Sequence, residues 1–98
     1  VGSGYYTLAA RHSGKVLDVA AWSSSNGGNV QQWPYQGKAN QQWKIENLGN
    51  GYHRVLNRHS GKALDVNGGT SATQNGANVH QWDYLGQSNQ QWRFVPVQ

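Results

Sequence analysis

Arg11-His12-Ser13-Gly14-Lys15-Val16-Leu17-Asp18-Val19 returns 47 residues later as Arg58-His59-Ser60-Gly61-Lys62-Ala63-Leu64-Asp65-Val66, changed at a single position. So dense a self-match in a chain of 98 residues makes the repeat the unit of folding. The match opens upstream at Gly4-Tyr5 and Gly51-Tyr52. Downstream the offset widens to 49, because the loop Asn67 to Gln74 is two residues longer. Asn26-Gly27 and Asn29-Val30 then answer Asn75-Gly76 and Asn78-Val79, while Gln32-Trp33, Tyr35 and Gly37 answer Gln81-Trp82, Tyr84 and Gly86. Asn40-Gln41-Gln42-Trp43 returns intact as Asn89-Gln90-Gln91-Trp92. The organisation read from this is a tail or cloning remnant at 1–3, one repeat at 4–50 and a second at 51–98.

Each repeat reads as four short strands separated by Ser-Gly, Asn-Gly and Gly turns, with β-rich stretches at Tyr5-Leu8, Val16-Val19, Val30-Trp33 and Trp43-Ile45. No helical period runs anywhere along the chain. Trp43-Lys44-Ile45 and Trp92-Arg93-Phe94 alternate apolar and charged residues, so Trp43 and Trp92 are expected to face a core. Trp33 and Trp82 lie between polar residues instead, and are expected at the surface.

Composition narrows the function classes. Thirteen Gly, five Trp and five Tyr against only 12% charged residues describe a turn-rich all-β chain with an amide and hydroxyl surface. Such a surface suits neutral ligands. The net charge of +4 comes from Lys and Arg scattered singly, with no basic run to follow a phosphate backbone, so nucleic acid is not an expected partner. No apolar run is long enough for a membrane span or signal peptide, and the chain opens at Val1 without Met, which reads as a processed or excised soluble piece. Cysteine is absent, so neither a disulfide nor a thiolate metal site is available. His12 and His59 sit singly in turns without ligand spacing, and no metal or other cofactor is expected.

Laid out as SGKxLDV, then NGxNVxQW, then NQQW, each unit resembles the ricin-B-type lectin repeat, with its Gln-x-Trp pair at Gln41-Trp43 and Gln90-Trp92. The resemblance covers residues 4 to 97. It implies an all-β β-trefoil, a fold of three such repeats of which this chain supplies two. It also favours a secreted, extracellular location. Many members carry a disulfide within each repeat; the positions concerned hold Val16 with Tyr35 and Ala63 with Tyr84, a pairing expected to replace the bridge by packing.

The resemblance further implies a sugar site in each repeat, carried by an Asp, a later aromatic and an Asn-Gln pair. These are Asp18, Trp33, Asn40 and Gln41 in the first repeat, and Asp65, Trp82, Asn89 and Gln90 in the second. Gln31, two positions before the aromatic, becomes His80 in the second repeat and joins each set. The chemistry fits a galactose-type sugar, whose axial 4-hydroxyl leaves one apolar face for a tryptophan while a carboxylate grips neighbouring hydroxyls. Plainer readings also stand: the acids could bond local backbone amides, and Asn40 and Asn89 could be turn residues.

Catalysis is not expected. Glycoside hydrolysis needs two carboxyls about one bond, and the four acids here are Asp18 and Asp65 in separate repeats, Asp83, and Glu46 on the polar face of a strand. The competing class is a structural or engineered trefoil scaffold with residual or no sugar binding. Because two repeats leave one trefoil sector open, the chain is expected to oligomerise, the smallest closed form being a homotrimer whose six repeats make two trefoils. That open sector is expected to expose Trp43, Trp92 and Phe94.

Overall fold

The computed structural model describes residues 2–96, and across them seven antiparallel strands alternate with four short 3-10 turns. The strands are β1 (Tyr5–Tyr6), β2 (Val16–Val19), β3 (Val30–Trp33), β4 (Trp43–Gly49), β5 (Tyr52–Asn57), β6 (Ala63–Val66) and β7 (Val79–Trp82). One sheet runs β1-β4-β5-β6-β7, and β2 pairs with β3 beside it. The turns occupy Ala20–Trp22, Ala39–Gln41, Gly69–Ser71 and Ser88–Gln90.

The repeat in sequence is a repeat in register. In β2–β3, Asp18 stands opposite Gln31 and Val16 opposite Trp33; in β6–β7, Asp65 stands opposite His80 and Ala63 opposite Trp82. Side chains alternate across a strand, so residues two apart share a face and directly opposed residues touch. Asp18, Gln31 and Trp33 therefore fall on one face of the first hairpin, and Asp65, His80 and Trp82 on one face of the second. The neighbours Leu17, Val19 and Leu64 take the other face and go to the core.

That core joins the repeats. Val19, Trp43, Val55 and Leu64 are buried together, with Leu8, Leu17, Val30, Ile45, Val79 and Trp92 packed around them. The members are largely repeat counterparts, with Leu17 answering Leu64, Leu8 answering Val55 and Val30 answering Val79. Trp43 Nε1 donates to Leu17 O at 3.1 Å, and Trp92 Nε1 repeats the bond to Leu64 O at 3.0 Å. A buried indole N–H must find an acceptor, so each Gln-x-Trp motif is tied to the strand carrying its Leu-Asp-Val.

The two core tryptophans differ in cover. Trp43 is completely buried, whereas Trp92 is half-buried and Phe94 lies half-exposed against the His53 ring at 5.0 Å. Trp43 thus does not belong to an exposed floor, because the second repeat covers it, and Trp92 reaches the core only in part. Strand lengths follow the same cause. The stretch expected at Trp43-Ile45 extends to Gly49 because β5 folds back along it, while Trp92 makes only an isolated bridge to His53. At the start of the chain, the stretch expected to reach Leu8 is a strand only over Tyr5–Tyr6.

Tyr35 is exposed and its hydroxyl accepts a bond from Gln42 Nε2 at 3.0 Å, while Tyr84 has the Arg54 guanidinium over its ring at 5.0 Å. Tyr35 thus makes a polar contact and Tyr84 a cationic one at the positions where a bridge would stand.

The β4–β5 hairpin joins the repeats through a tight turn in which Gly49, Asn50 and Gly51 all take positive φ. Glu46 on β4 bonds Arg54 on β5, and Lys44 lies 3.1 Å away. The Arg54 guanidinium, and then the Lys44 ammonium, hold the Glu46 carboxyl below its ordinary value. A carboxyl whose value is lowered on folding contributes stability above the unfolded value, and that stability is lost as pH falls through the folded one. Acid unfolding below about pH 4.5 should accordingly be shallower in Glu46→Gln, followed by circular dichroism. Trp43→Phe removes a bond to a covered carbonyl and opens a small void. We expect it to lower stability by about 2 kcal/mol in urea denaturation with unchanged slope; an unmoved midpoint would contradict the central place given to Trp43.

Candidate functional site

Asp18 and Asp65 are buried carboxylates, each 5% exposed, and neither bonds a backbone amide of the described residues. A buried charge needs donors, and the chain supplies them from three places. Asp18 Oδ1 accepts from Gln31 Nε2 at 3.1 Å, and Oδ2 accepts from Asn40 Nδ2 at 3.4 Å and Gln41 Nε2 at 3.0 Å. Asp65 repeats this with His80 Nε2 at 2.8 Å on Oδ1, and with Asn89 Nδ2 at 3.2 Å and Gln90 Nε2 at 2.9 Å on Oδ2. The His80 tautomer follows, since only a protonated Nε2 can donate to the carboxylate.

Gln41 and Gln90 hold these sites from behind. They are 1% and 0% exposed and are not among the residues lining the clefts. Gln41 Nε2 also donates to Pro34 O at 2.9 Å while its Oε1 accepts from Gln36 N at 2.8 Å; Gln90 does the same with Asp83 O and Leu85 N, both at 2.8 Å. Each glutamine thereby pins the segment after its exposed tryptophan to the aspartate.

Asn40 and Asn89 complete the pattern. Their Nδ2 groups donate to the carboxylate and also to Val19 O and Val66 O, both at 3.1 Å. Both partners on that side are acceptors, which fixes the amide orientation and turns Oδ1 away. In both repeats that Oδ1 is buried without a donor among the described residues. Buried acceptors are almost always satisfied, so the same orphan occurring twice marks a position built for a donor from outside the chain.

A cleft opens over each network. Asp18, Gln31, Trp33 and Asn40 line the first; Asp65, His80, Trp82 and Asn89 line the second. Trp33 and Trp82 are 47% and 37% exposed, and Trp82 lies nearly parallel to the His80 ring at 5.6 Å. The structure thus brings eight of the ten expected residues to the two clefts and places the two glutamines beneath them. Other walls were not anticipated. Trp22, Gln36 and Lys38 line the first cleft, and Gly68, Gly69, Leu85 and Gln87 the second. Their signal in the sequence was the places where the two repeats stop matching.

Each cleft has one carboxylate in its lining. Asp83, next to Trp82, is committed elsewhere, bonding Lys62 Nζ at 2.8 Å and Asn26 Nδ2 at 3.2 Å. The Lys62 ammonium first, then Asn26, keeps its carboxyl below the ordinary value. Among the described residues no cluster of three or more His, Asp or Glu side chains could hold a metal ion. His12 is exposed, and His59 bonds Trp22 O at 3.1 Å.

Known proteins carry the same architecture. A designed 3-fold symmetric protein, ThreeFoil, is 55% identical with a TM-score of 0.94, over 99% of this chain and 68% of that one. An exo-beta-1,3-galactanase from Clostridium thermocellum is 38% identical with a TM-score of 0.93, over 99% of this chain and 21% of that one. The clotting factor G alpha subunit of Tachypleus tridentatus is 47% identical over 45 residues, which are 46% of this chain and 7% of that protein. The chain therefore spans a small part of each of these natural proteins. Residues 1–82 match the family described as ricin-type beta-trefoil lectin domain-like. With the all-β fold and the twice-built carboxylate network, that match identifies the chain as a member of the ricin-type β-trefoil lectin family.

Proposed function

We propose that the chain is a non-catalytic carbohydrate-binding module that takes a galactose-type sugar in each of its two repeats. The observation that carries this is the orphaned Oδ1 of Asn40 and of Asn89, buried beside a carboxylate in a cleft walled by an exposed tryptophan. A sugar supplies what such a site lacks. Its hydroxyls donate to the amide oxygen and to the carboxylate's remaining lone pairs, and its C–H face covers the indole. An axial 4-hydroxyl keeps that face continuous, which favours galactose, and the galactanase likeness points the same way. One carboxylate per cleft supports binding over hydrolysis, which uses a pair. A scaffold without ligands, the reading that a designed relative invites, has no use for two unsatisfied buried acceptors.

The unequal cover of repeat counterparts supports oligomerisation. Gln81 is fully buried, donating to Ser23 O and Ser25 O of the first repeat, whereas Gln32 is exposed. Arg58 bonds Gln42 and lies over the Tyr5 ring, contacts that its counterpart Arg11 does not make among the described residues. Asn78 donates to Asn29 at 2.8 Å, a head-to-tail pair that a third asparagine would close into a ring. Each of these contacts joins one repeat to the other. The chain also covers 68% of a 3-fold symmetric relative, which leaves about one repeat unmatched. A third repeat from another copy fits that sector, and three chains close two trefoils. A threefold-symmetric closure, with first repeats in one trefoil and second repeats in the other, opens the β4–β5 hairpin in every chain, whereas an asymmetric closure, with one chain divided between two trefoils, opens it in only that chain.

Asp18→Asn would set an NH2 against at least one of the three donors that face the carboxylate and disturb folding as well as binding, so Trp33→Ala is the cleaner test. It should keep the circular dichroism of the parent and lose one of two sugar-binding events in a titration with lactose, each with Kd near millimolar, about −4 kcal/mol. Loss of folding in that variant, or retention of both events, would contradict the assignment. Static light scattering at micromolar concentration should give about three times 10.8 kDa. A folded monomer at the mass of a single chain would overturn the assembly.

A further inference from the structure

The two clefts share a floor and differ in their walls. The floor of the first continues into Ala21 and Trp22, both in the left-handed region at φ 57°. Their counterparts are Gly68 and Gly69, at φ 105° and 78°, which line the second cleft at no steric cost. For alanine and tryptophan this conformation is strained, because Cβ crowds the following carbonyl, and strain of this kind collects at ligand sites.

The Trp22 conformation is held from the other repeat. His59 Nε2 lies 3.1 Å from Trp22 O, and the two rings meet edge to face at 4.9 Å. The indole is 44% exposed and carries the Lys38 ammonium 5.6 Å from its ring centre. Lys38 has no carboxylate partner among the described residues. It lines the first cleft with Asp18, and at the matching place in the second cleft, two residues before the asparagine, stands the neutral Gln87. The first cleft therefore balances its carboxylate with a cation at the wall, while the second cleft places Asp65 beside His80 and has no Lys or Arg in its lining.

We propose that the first-repeat cleft is a site for an anionic galactose-type sugar, with Lys38 as the pairing cation and Trp22 as the wall that positions it, and that the second-repeat cleft takes the neutral sugar. This deepens the sugar-binding reading and rests on it. The cation–π contact at an exposed ring is weak, so the ammonium exchanges it for an incoming carboxylate or sulfate without loss. Asp18 does not repel that group strongly, because three amide donors already face its carboxylate.

The test uses the whole chain and follows the Trp33 and Trp82 indole N–H signals by NMR, so that each cleft reports its own affinity. The probes are galactose, galacturonate and galactose 3-sulfate, which separate a charge at C6 from a charge at O3. For at least one charged sugar, the affinity relative to galactose should be higher at Trp33 than at Trp82 by roughly two- to fivefold, the range of an exposed ion pair. It should fall with added salt. Lys38→Gln and Trp22→Gly, which install the residues of the second cleft, should remove the preference at the Trp33 signal and leave galactose binding at the Trp82 signal unchanged; Trp22→Gly also relieves backbone strain and keeps the fold. Equal ratios at the two signals, or a preference unchanged in Lys38→Gln, overturns the proposal and leaves galactose binding standing. Indole signals unmoved by all three sugars would overturn the sugar-binding reading, and this inference with it.

Discussion

A buried carboxylate with three side-chain N–H donors is the constraint on which each repeat is built. Left unpaired, Asp18 or Asp65 would cost several kcal/mol to bury; with charge-assisted bonds of about 1.5–3 kcal/mol each it becomes a node. Gln31 or His80 ties the node to the opposing strand, Asn40 or Asn89 to the last carbonyl of β2 or β6, and Gln41 or Gln90 to the segment that follows the exposed tryptophan. The tryptophan that ends the Gln-x-Trp motif then bonds the leucine carbonyl one residue before the aspartate. Fold and site share these bonds, and the fold draws the aspartates' donors toward the same point that a ligand would use.

Duplication of this node does not make the halves equivalent. Counterparts such as Trp43 and Trp92, or Gln81 and Gln32, differ in cover according to whether the other repeat lies beside them. The cleft walls differ because the loops after β2 and β6 diverge, Ala-Trp in one and Gly-Gly in the other. Two copies of one motif thus present unlike surfaces, and the interactions between repeats, such as His59 with Trp22, shape one cleft and not the other.

Much of this was legible in the sequence because the relevant interactions are local or repeated. Val16–Val19 and Val30–Trp33 emerge with the bounds read from the β-rich stretches between turns, and the hairpin register then puts Asp18 opposite Gln31. Period two separated Trp43 from Trp33 correctly. What escaped the sequence depends on long-range contact. The full burial of Trp43 requires knowing that Val55 and Leu64 close over it; the burial of Gln41 requires its bond to Pro34 O. The orphaned Asn40 Oδ1 becomes visible only once both donors of its amide are placed. Trp22 lay in a stretch where the repeats disagree, and a comparison of repeats is silent where they do not match.

Sugar stoichiometry tests the central claim most directly, because the node occurs twice and each copy leaves one amide oxygen without a donor. Equilibrium dialysis of the full chain against labelled galactose, carried to saturation, should find two sugars per chain whatever the oligomeric state. Saturation at one sugar per chain, or no binding well above millimolar concentration, would contradict the account.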